Sequence, residues 1–157
     1  MEKIYRALDE DQWIQLVRHN ANVFKKGAVI YLLGDLGAGK TTTARALIQA
    51  LGYPDRVKSP TYSLLETYKP LGLSIAHLDL YRLADASEVL DLGLEELVAE
   101  NASLLLVEWP EKGGEYLPKA DVLVELSIHD ASDSYALRDI RLLAKSDRGA
   151  TVLSEWK

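Results

Sequence analysis

The residues best suited to chemistry lie in one unbroken run, Gly34-Asp35-Leu36-Gly37-Ala38-Gly39-Lys40-Thr41, which satisfies G-x-x-x-x-G-K-[ST] at every fixed position. Glycines in such a run let the backbone close around phosphate oxygens with several N–H groups turned inward. A helix starting at its end adds the positive end of its dipole. Asp35, Leu36, Gly37, Ala38, Gly39, Lys40, Thr41 and Thr42 are therefore the expected nucleotide-binding residues. Lys40 is expected on the β- and γ-phosphates, and the Thr41 hydroxyl on Mg2+, whose remaining shell is water and phosphate oxygen.

Such a loop also requires an acid at the end of a neighbouring strand, to hold the metal or orient the attacking water. Two positions compete. Glu108 follows Leu104-Leu105-Leu106-Val107 in the place of a Walker B acid, as glutamate rather than the commoner aspartate; Asp79 follows Ser74-Ile75-Ala76-His77-Leu78. One metal can be served by both, with Thr41 and Glu108 as its expected ligands. Trp109, between Glu108 and Pro110, either packs the strand end or takes part in the site. Val57-Lys58-Ser59-Pro60-Thr61 lies after the loop's helix, where phosphate-sensing switch loops occur. There Ser59 and Thr61 offer hydroxyls to metal, water or phosphate, or simply shape a turn. Tyr62, Tyr68, Tyr81 and Arg82 read as sheet and rim residues, Arg82 being a charge partner for a phosphate or a carboxylate. His77 reads as a hydrogen-bonded structural histidine with no catalytic role.

These residues need a frame. A strand over about Lys3–Ala7 leads to Asp9 as N-cap of a helix carrying Trp13, Ile14, Leu16, Val17 and Val23 on one face and stopping at Lys25-Lys26-Gly27. Ala28–Leu33 has no polar alternation and predicts a central strand covered on both faces. A helix follows over Thr41–Leu51, closed by Gly52 and Pro54. Thr61–Tyr68 and Leu73–Leu80 read as an antiparallel hairpin, because only Lys69-Pro70-Leu71-Gly72 separates them. Ala86–Ala99 predicts a helix interrupted near Gly93, and Leu104–Val107 a second buried strand. Strands from Val122 and around Arg138–Leu143 are joined by a polar turn over Asp130–Ser134; Gly149–Lys157 fits no single element.

The chain has 157 residues, 48% of them hydrophobic and 27% charged, which suits one folded domain over residues 1–157. No Pro, Gly or Ser tract is long enough for a linker. Without cysteine, and with only three scattered histidines, a zinc domain is excluded. No run is apolar enough for a signal peptide or a membrane span, so a cytoplasmic protein is expected. The formal net charge of −6 argues against a domain that grips nucleic acid unaided. If RNA is involved, a partner supplies the grip.

In its order of motifs the chain closely resembles the bacterial TsaE (YjeE) family of small P-loop ATPases in tRNA threonylcarbamoyladenosine biosynthesis. The resemblance rests on Gly34–Thr42, then Val57-Lys58-Ser59-Pro60-Thr61-Tyr62, then His77-Leu78-Asp79-Leu80-Tyr81-Arg82-Leu83, then Val107-Glu108-Trp109-Pro110. It implies an α/β, P-loop NTPase-like three-layer fold with central parallel strands flanked by antiparallel ones. Lys40 and Thr41 would be phosphate and Mg2+ ligands, Thr61 a switch-loop residue, Asp79 and Glu108 metal-site or water-orienting acids, and Trp109 a nearby functional aromatic. The implied activity is ATP hydrolysis, weak alone and stimulated by the partners TsaB and TsaD. Those partners hold the tRNA and transfer a threonylcarbamoyl group made by a TsaC-type enzyme. Beyond Pro110 the resemblance carries no usable pattern.

A small-molecule P-loop kinase shares the loop, the size and the acid-ended strand. It would carry an arginine-rich lid, whereas Arg138, Arg141 and Arg148 are spread along a strand and tail. A nucleotide-gated adaptor without turnover is disfavoured by Asp79 and Glu108. ATP is expected over GTP, from the family and because no Asn-Lys-x-Asp motif follows Glu108.

Overall fold

The computed structural model describes residues 1–99, 103–130 and 134–157. Its strands are β1 (Glu2–Leu8), β2 (Ala28–Leu33), β3 (Leu65–Tyr68), β4 (Ser74–Asp79), β5 (Ser103–Glu108), β6 (Val122–Asp130) and β7 (Ser134–Ala144). Its α-helices are α1 (Glu10–Asn20), α2 (Lys40–Ala50), α3 (Leu94–Ala99) and α4 (Asp147–Glu155). The strands form one seven-stranded sheet in the order β1-β7-β6-β2-β5-β4-β3. The central four, β6, β2, β5 and β4, run parallel, while β3 pairs antiparallel at one edge and β7 with β1 at the other. Central parallel strands with antiparallel flanks are the expected arrangement.

The apolar runs explain the layers. Side chains alternate across a strand, so a run without polar alternation must be covered twice. Leu104 and Leu106 of β5 enter a core with Trp13, Val17, Ile48 and Leu153, beneath α1, α2 and α4. Leu105 and Val107 enter a second core on the opposite face, with Leu78, Val89, Leu94 and Leu117. By the same alternation His77 and Asp79 on β4, and Glu108 on β5, face the side that α1 and α2 cover.

Asp9 caps α1 as expected: its carboxylate accepts the Gln12 N–H at 2.8 Å, and the Gln12 side chain accepts the Asp9 N–H at 2.9 Å. The α-helix stops at Asn20 rather than reaching Val23, and Ala21–Phe24 continues as a 3-10 turn. Asn20 ends it by turning its amide onto the Leu16 carbonyl, at 3.0 Å, and onto Lys157. The hairpin is antiparallel, but β3 begins only at Leu65. Leu64 adopts a left-handed φ of 65°, and its N–H closes a turn on the Pro60 carbonyl at 2.8 Å, so Thr61–Ser63 are turn rather than strand. The helix expected over Ala86–Ala99 does break at Gly93, though Ala86–Leu92 is 3-10. The tail forms α4, capped by Ser146 and burying Val152 and Leu153. The turn expected over Asp130–Ser134 lies, in its middle residues 131–133, outside the described residues. Among the described residues no helix is long and apolar enough to cross a membrane.

Candidate functional site

The loop between β2 and α2 is shaped by its glycines. A Cβ on Gly34 would lie 2.6 Å from the Leu126 carbonyl oxygen, so only glycine lets the loop rest on β6. Gly39, the N-cap of α2, has φ 108°, a conformation L side chains rarely adopt. Thr43 secures the first turn of α2, donating to the Gly39 carbonyl at 2.7 Å and accepting the Trp13 indole N–H at 2.8 Å. Lys40 curls over the loop, and its ammonium donates to the carbonyls of Gly34 at 2.5 Å and Asp35 at 2.9 Å. The same nitrogen stands 4.2 Å from the centre of the Trp109 ring. Burial holds the Lys40 ammonium below its ordinary pKa, against the opposing pull of Glu108, Asp79, Glu111 and Asp35.

Sheet register brings the acids to this loop. Glu108 is the neighbour of Leu32 on β2 and of Asp79 on β4, so one sheet edge carries the loop and both carboxylates. Such an edge, at the carboxyl ends of parallel strands, is where open α/β sheets bind ligands. The Thr41 hydroxyl donates to Glu108 Oε1 at 2.7 Å, and His77 Nε2 lies 2.7 Å from Glu108 Oε2. Asp79 accepts from the Thr61 hydroxyl at 3.3 Å and from the Tyr81 N–H at 3.1 Å. Lys40 and Asp79 are each 5% exposed and Glu108 is 2% exposed, so these charges interact with little solvent screening.

The segment over Val57–Thr61 is pinned at its start and reaches the acids at its end. Val57 is buried, and Lys58 exchanges hydrogen bonds with the Tyr68 hydroxyl at 3.1 and 3.3 Å. Ser59 and Thr61 share a hydroxyl contact of 2.7 Å. The turn at Thr61–Ser63 is what directs Thr61 toward Asp79.

A cleft of about 780 Å³ collects these groups. Of the expected site residues, Leu36, Gly37, Ala38, Gly39, Lys40, Thr41, Thr42, Thr61, Asp79, Arg82, Glu108 and Trp109 line it. Asp35 and Ser59 sit one step back, Asp35 through its carbonyl on Lys40 and Ser59 through its hydroxyl on Thr61. The Arg82 guanidinium lies over the ring of Tyr62 at 4.7 Å, and Tyr62 is 86% exposed. Trp109 takes φ 56° and ψ 51°, a left-handed conformation costly for a bulky side chain, and its ring meets Tyr81 at 5.0 Å between centroids. That turn lays the indole across the cleft wall.

Sequence reasoning passed over part of the cleft. Arg138 on β7 donates to the carbonyls of Ala38 at 3.2 Å and Gly37 at 3.0 Å, bracing the crest of the loop. Asp9 and Trp13, read only as N-cap and helix face, also line the cleft, together with Glu10 and Asp11. No local pattern marks these residues, because pairing of β6 with β2 and of β7 with β6 is what carries Arg138 to the loop. Arg138→Ala should weaken triphosphate binding about tenfold, the order of one charge-assisted hydrogen bond. Calorimetric titration checks this, and unchanged affinity would deny Arg138 any part in shaping the loop.

The donor chemistry fits a small hard cation. Thr41 and Glu108 present oxygen ligands, with the Asp79 carboxylate on the adjacent strand end. Among the described residues no group of three or more His, Cys, Asp or Glu side chains is placed to hold a metal alone. Mg2+ shared with phosphates needs only one or two protein ligands.

A family model described as threonylcarbamoyl adenosine biosynthesis protein TsaE matches residues 7–140. The tRNA threonylcarbamoyladenosine biosynthesis protein TsaE of Haemophilus influenzae is 43% identical over 132 residues, 84% of this chain and 80% of its own. The Bacillus subtilis protein of the same name is 36% identical over 151 residues, covering 96% and 91% of the two chains. The crystal structure of Bacillus subtilis YdiB matches with a TM-score of 0.80 and 25% identity, over 99% of this chain and 94% of that one.

Proposed function

Since the chain belongs to the TsaE family of tRNA threonylcarbamoyladenosine biosynthesis proteins, we propose that it binds and hydrolyses ATP with Mg2+ and acts in the cytoplasm as a nucleotide-dependent switch on the TsaB–TsaD complex. The observation that carries this reading is the 2.7 Å contact between Thr41 and Glu108. It joins the motif threonine to a strand-end acid 67 residues away, beside a lysine held on the first carbonyls of a phosphate-type loop.

In this reading each residue takes a role suited to its position. Lys40 exchanges two loop carbonyls for β- and γ-phosphate oxygens, as an ammonium prefers full anionic charge to a carbonyl dipole. Thr41 and Glu108 would hold Mg2+, which neutralises phosphate charge when bound. Glu108 or Asp79 orients the attacking water. Thr61 reports on the site: tied to Asp79 through one hydroxyl contact of 3.3 Å, it changes partner when the acid's surroundings change, and the exposed Tyr62 moves with it. TsaB and TsaD would hold the tRNA, in keeping with the −6 net charge of this chain.

Steady-state ATP hydrolysis by the purified chain, alone and with TsaB–TsaD, tests the proposal. Turnover should be slow alone and rise at least about tenfold with the partners, because a partner that favours one switch state completes the site. Fast turnover without partners that TsaB–TsaD leave unchanged would overturn the switch role.

A further inference from the structure

Both carboxylate oxygens of Glu108 are engaged, Oε1 by Thr41 and Oε2 by a histidine that does not line the cleft. His77 is 0% exposed, on β4 between Glu66 of β3 and Leu106 of β5 in register. Its Nε2 lies 2.7 Å from Glu108 Oε2, and its Nδ1 is buried with no hydrogen-bond partner among the described residues. Burying a polar atom unpaired costs stability, and an aliphatic side chain at this position would avoid that cost. What the imidazole supplies in exchange is the Nε2 contact. A hydrogen on Nδ1 would have nothing to donate to, so the ring carries its hydrogen on Nε2 and donates it to the carboxylate.

We propose that His77 is a positioning residue for Glu108: its Nε2–H holds Oε2, fixes the carboxylate plane, and so keeps Oε1 turned toward Thr41 and the cleft. The torsion that turns a glutamate carboxylate is broad, so without this contact the plane rotates and the acid spends less time in its working orientation. His77 touches neither nucleotide nor water in this scheme. The functional consequence rests on the ATPase reading above, and it predicts an effect on turnover rather than on nucleotide affinity.

The test uses His77→Gln, His77→Asn and His77→Phe in the full chain. A glutamine amide nitrogen reaches the place of Nε2, whereas an asparagine amide ends near that of Nδ1. His77→Gln should keep kcat within about threefold, and His77→Asn and His77→Phe should lose roughly 10- to 100-fold, the usual range for a group that orients another ligand. ATP affinity by titration should stay within about twofold in all three. A readout independent of activity is chemical denaturation: the drop in midpoint caused by His77→Phe should largely vanish in a Glu108→Ala background. Should His77→Phe not fold, the contrast between glutamine and asparagine decides alone. Equal turnover in those two, or denaturation effects that simply add, overturns the inference while leaving the ATPase reading intact. A wild-type chain that hydrolyses no ATP with or without TsaB–TsaD overturns both.

Discussion

Lys40→Ala should abolish tight ATP binding, with an affinity loss of at least about 100-fold, or roughly 2.8 kcal/mol. Lys40 is the one side chain of the loop whose charge matches the phosphates, and it is already dehydrated, so its contacts with them are stronger than a surface lysine's. Its carbonyl contacts are local, across five and six residues, and removing them leaves the Thr43–Trp13 tie and the Gly34 approach to β6 in place. The variant should therefore fold with little change in melting temperature. Calorimetric titration with ATP and Mg2+ measures the loss. Affinity within a few-fold of wild type would remove the loop from the nucleotide site altogether.

Glu108→Gln should do the opposite: ATP still binds, within about tenfold, while hydrolysis falls about 100- to 1,000-fold. The substitution keeps shape, and an amide oxygen can still accept from Thr41, but the negative charge that polarises a water or attracts a cation is gone. Single-turnover hydrolysis with the enzyme saturated separates this from a binding defect. Asp79→Asn is the control. Asp79 sits beside Glu108 in register but accepts from Thr61, whereas Glu108 accepts from Thr41 of the loop, so Asp79 would transmit the state of the Val57–Thr61 segment and Glu108 would act at the loop. If Glu108→Gln turns over at the wild-type rate and Asp79→Asn does not, the two carboxylates exchange roles.

Tyr62 and Arg82 give the proposed switch segment an outward face. The guanidinium over the Tyr62 ring forms the rim of the cleft a few residues from both Thr61 and Asp79. A partner that touches this rim can bias the Thr61–Asp79 contact without entering the cleft, which is how binding energy outside a site shifts a two-state element within it.

Much of this site was legible in the chain because its chemistry is local. Gly34–Thr41 is contiguous, and its glycine spacing alone makes such a run a candidate phosphate loop. Glu108 and Asp79 were readable as strand-end acids because an apolar run must stop where the sheet meets solvent, and the four-residue gap at Lys69–Gly72 permits only a hairpin. The errors were also local. Thr61–Ser63 has strand-forming composition, but the left-handed Leu64 closes a turn there. The Ala86–Leu92 segment has helical spacing but only one well-buried residue, Val89, too little to hold a regular α-helix.

What residue types and spacing determined, then, is the loop, the two acids, the alternating core faces and the family. The tertiary structure alone decided which acid meets Thr41, that His77 spends its Nε2 on that acid, and that Arg138 reaches back to the loop crest. The physical reason is the sheet order. β5 inserts between β2 and β4, and β6 lies on the other side of β2, so residues tens of positions apart become register neighbours. A strand's own sequence records its period and its burial, not the identity of the strand beside it.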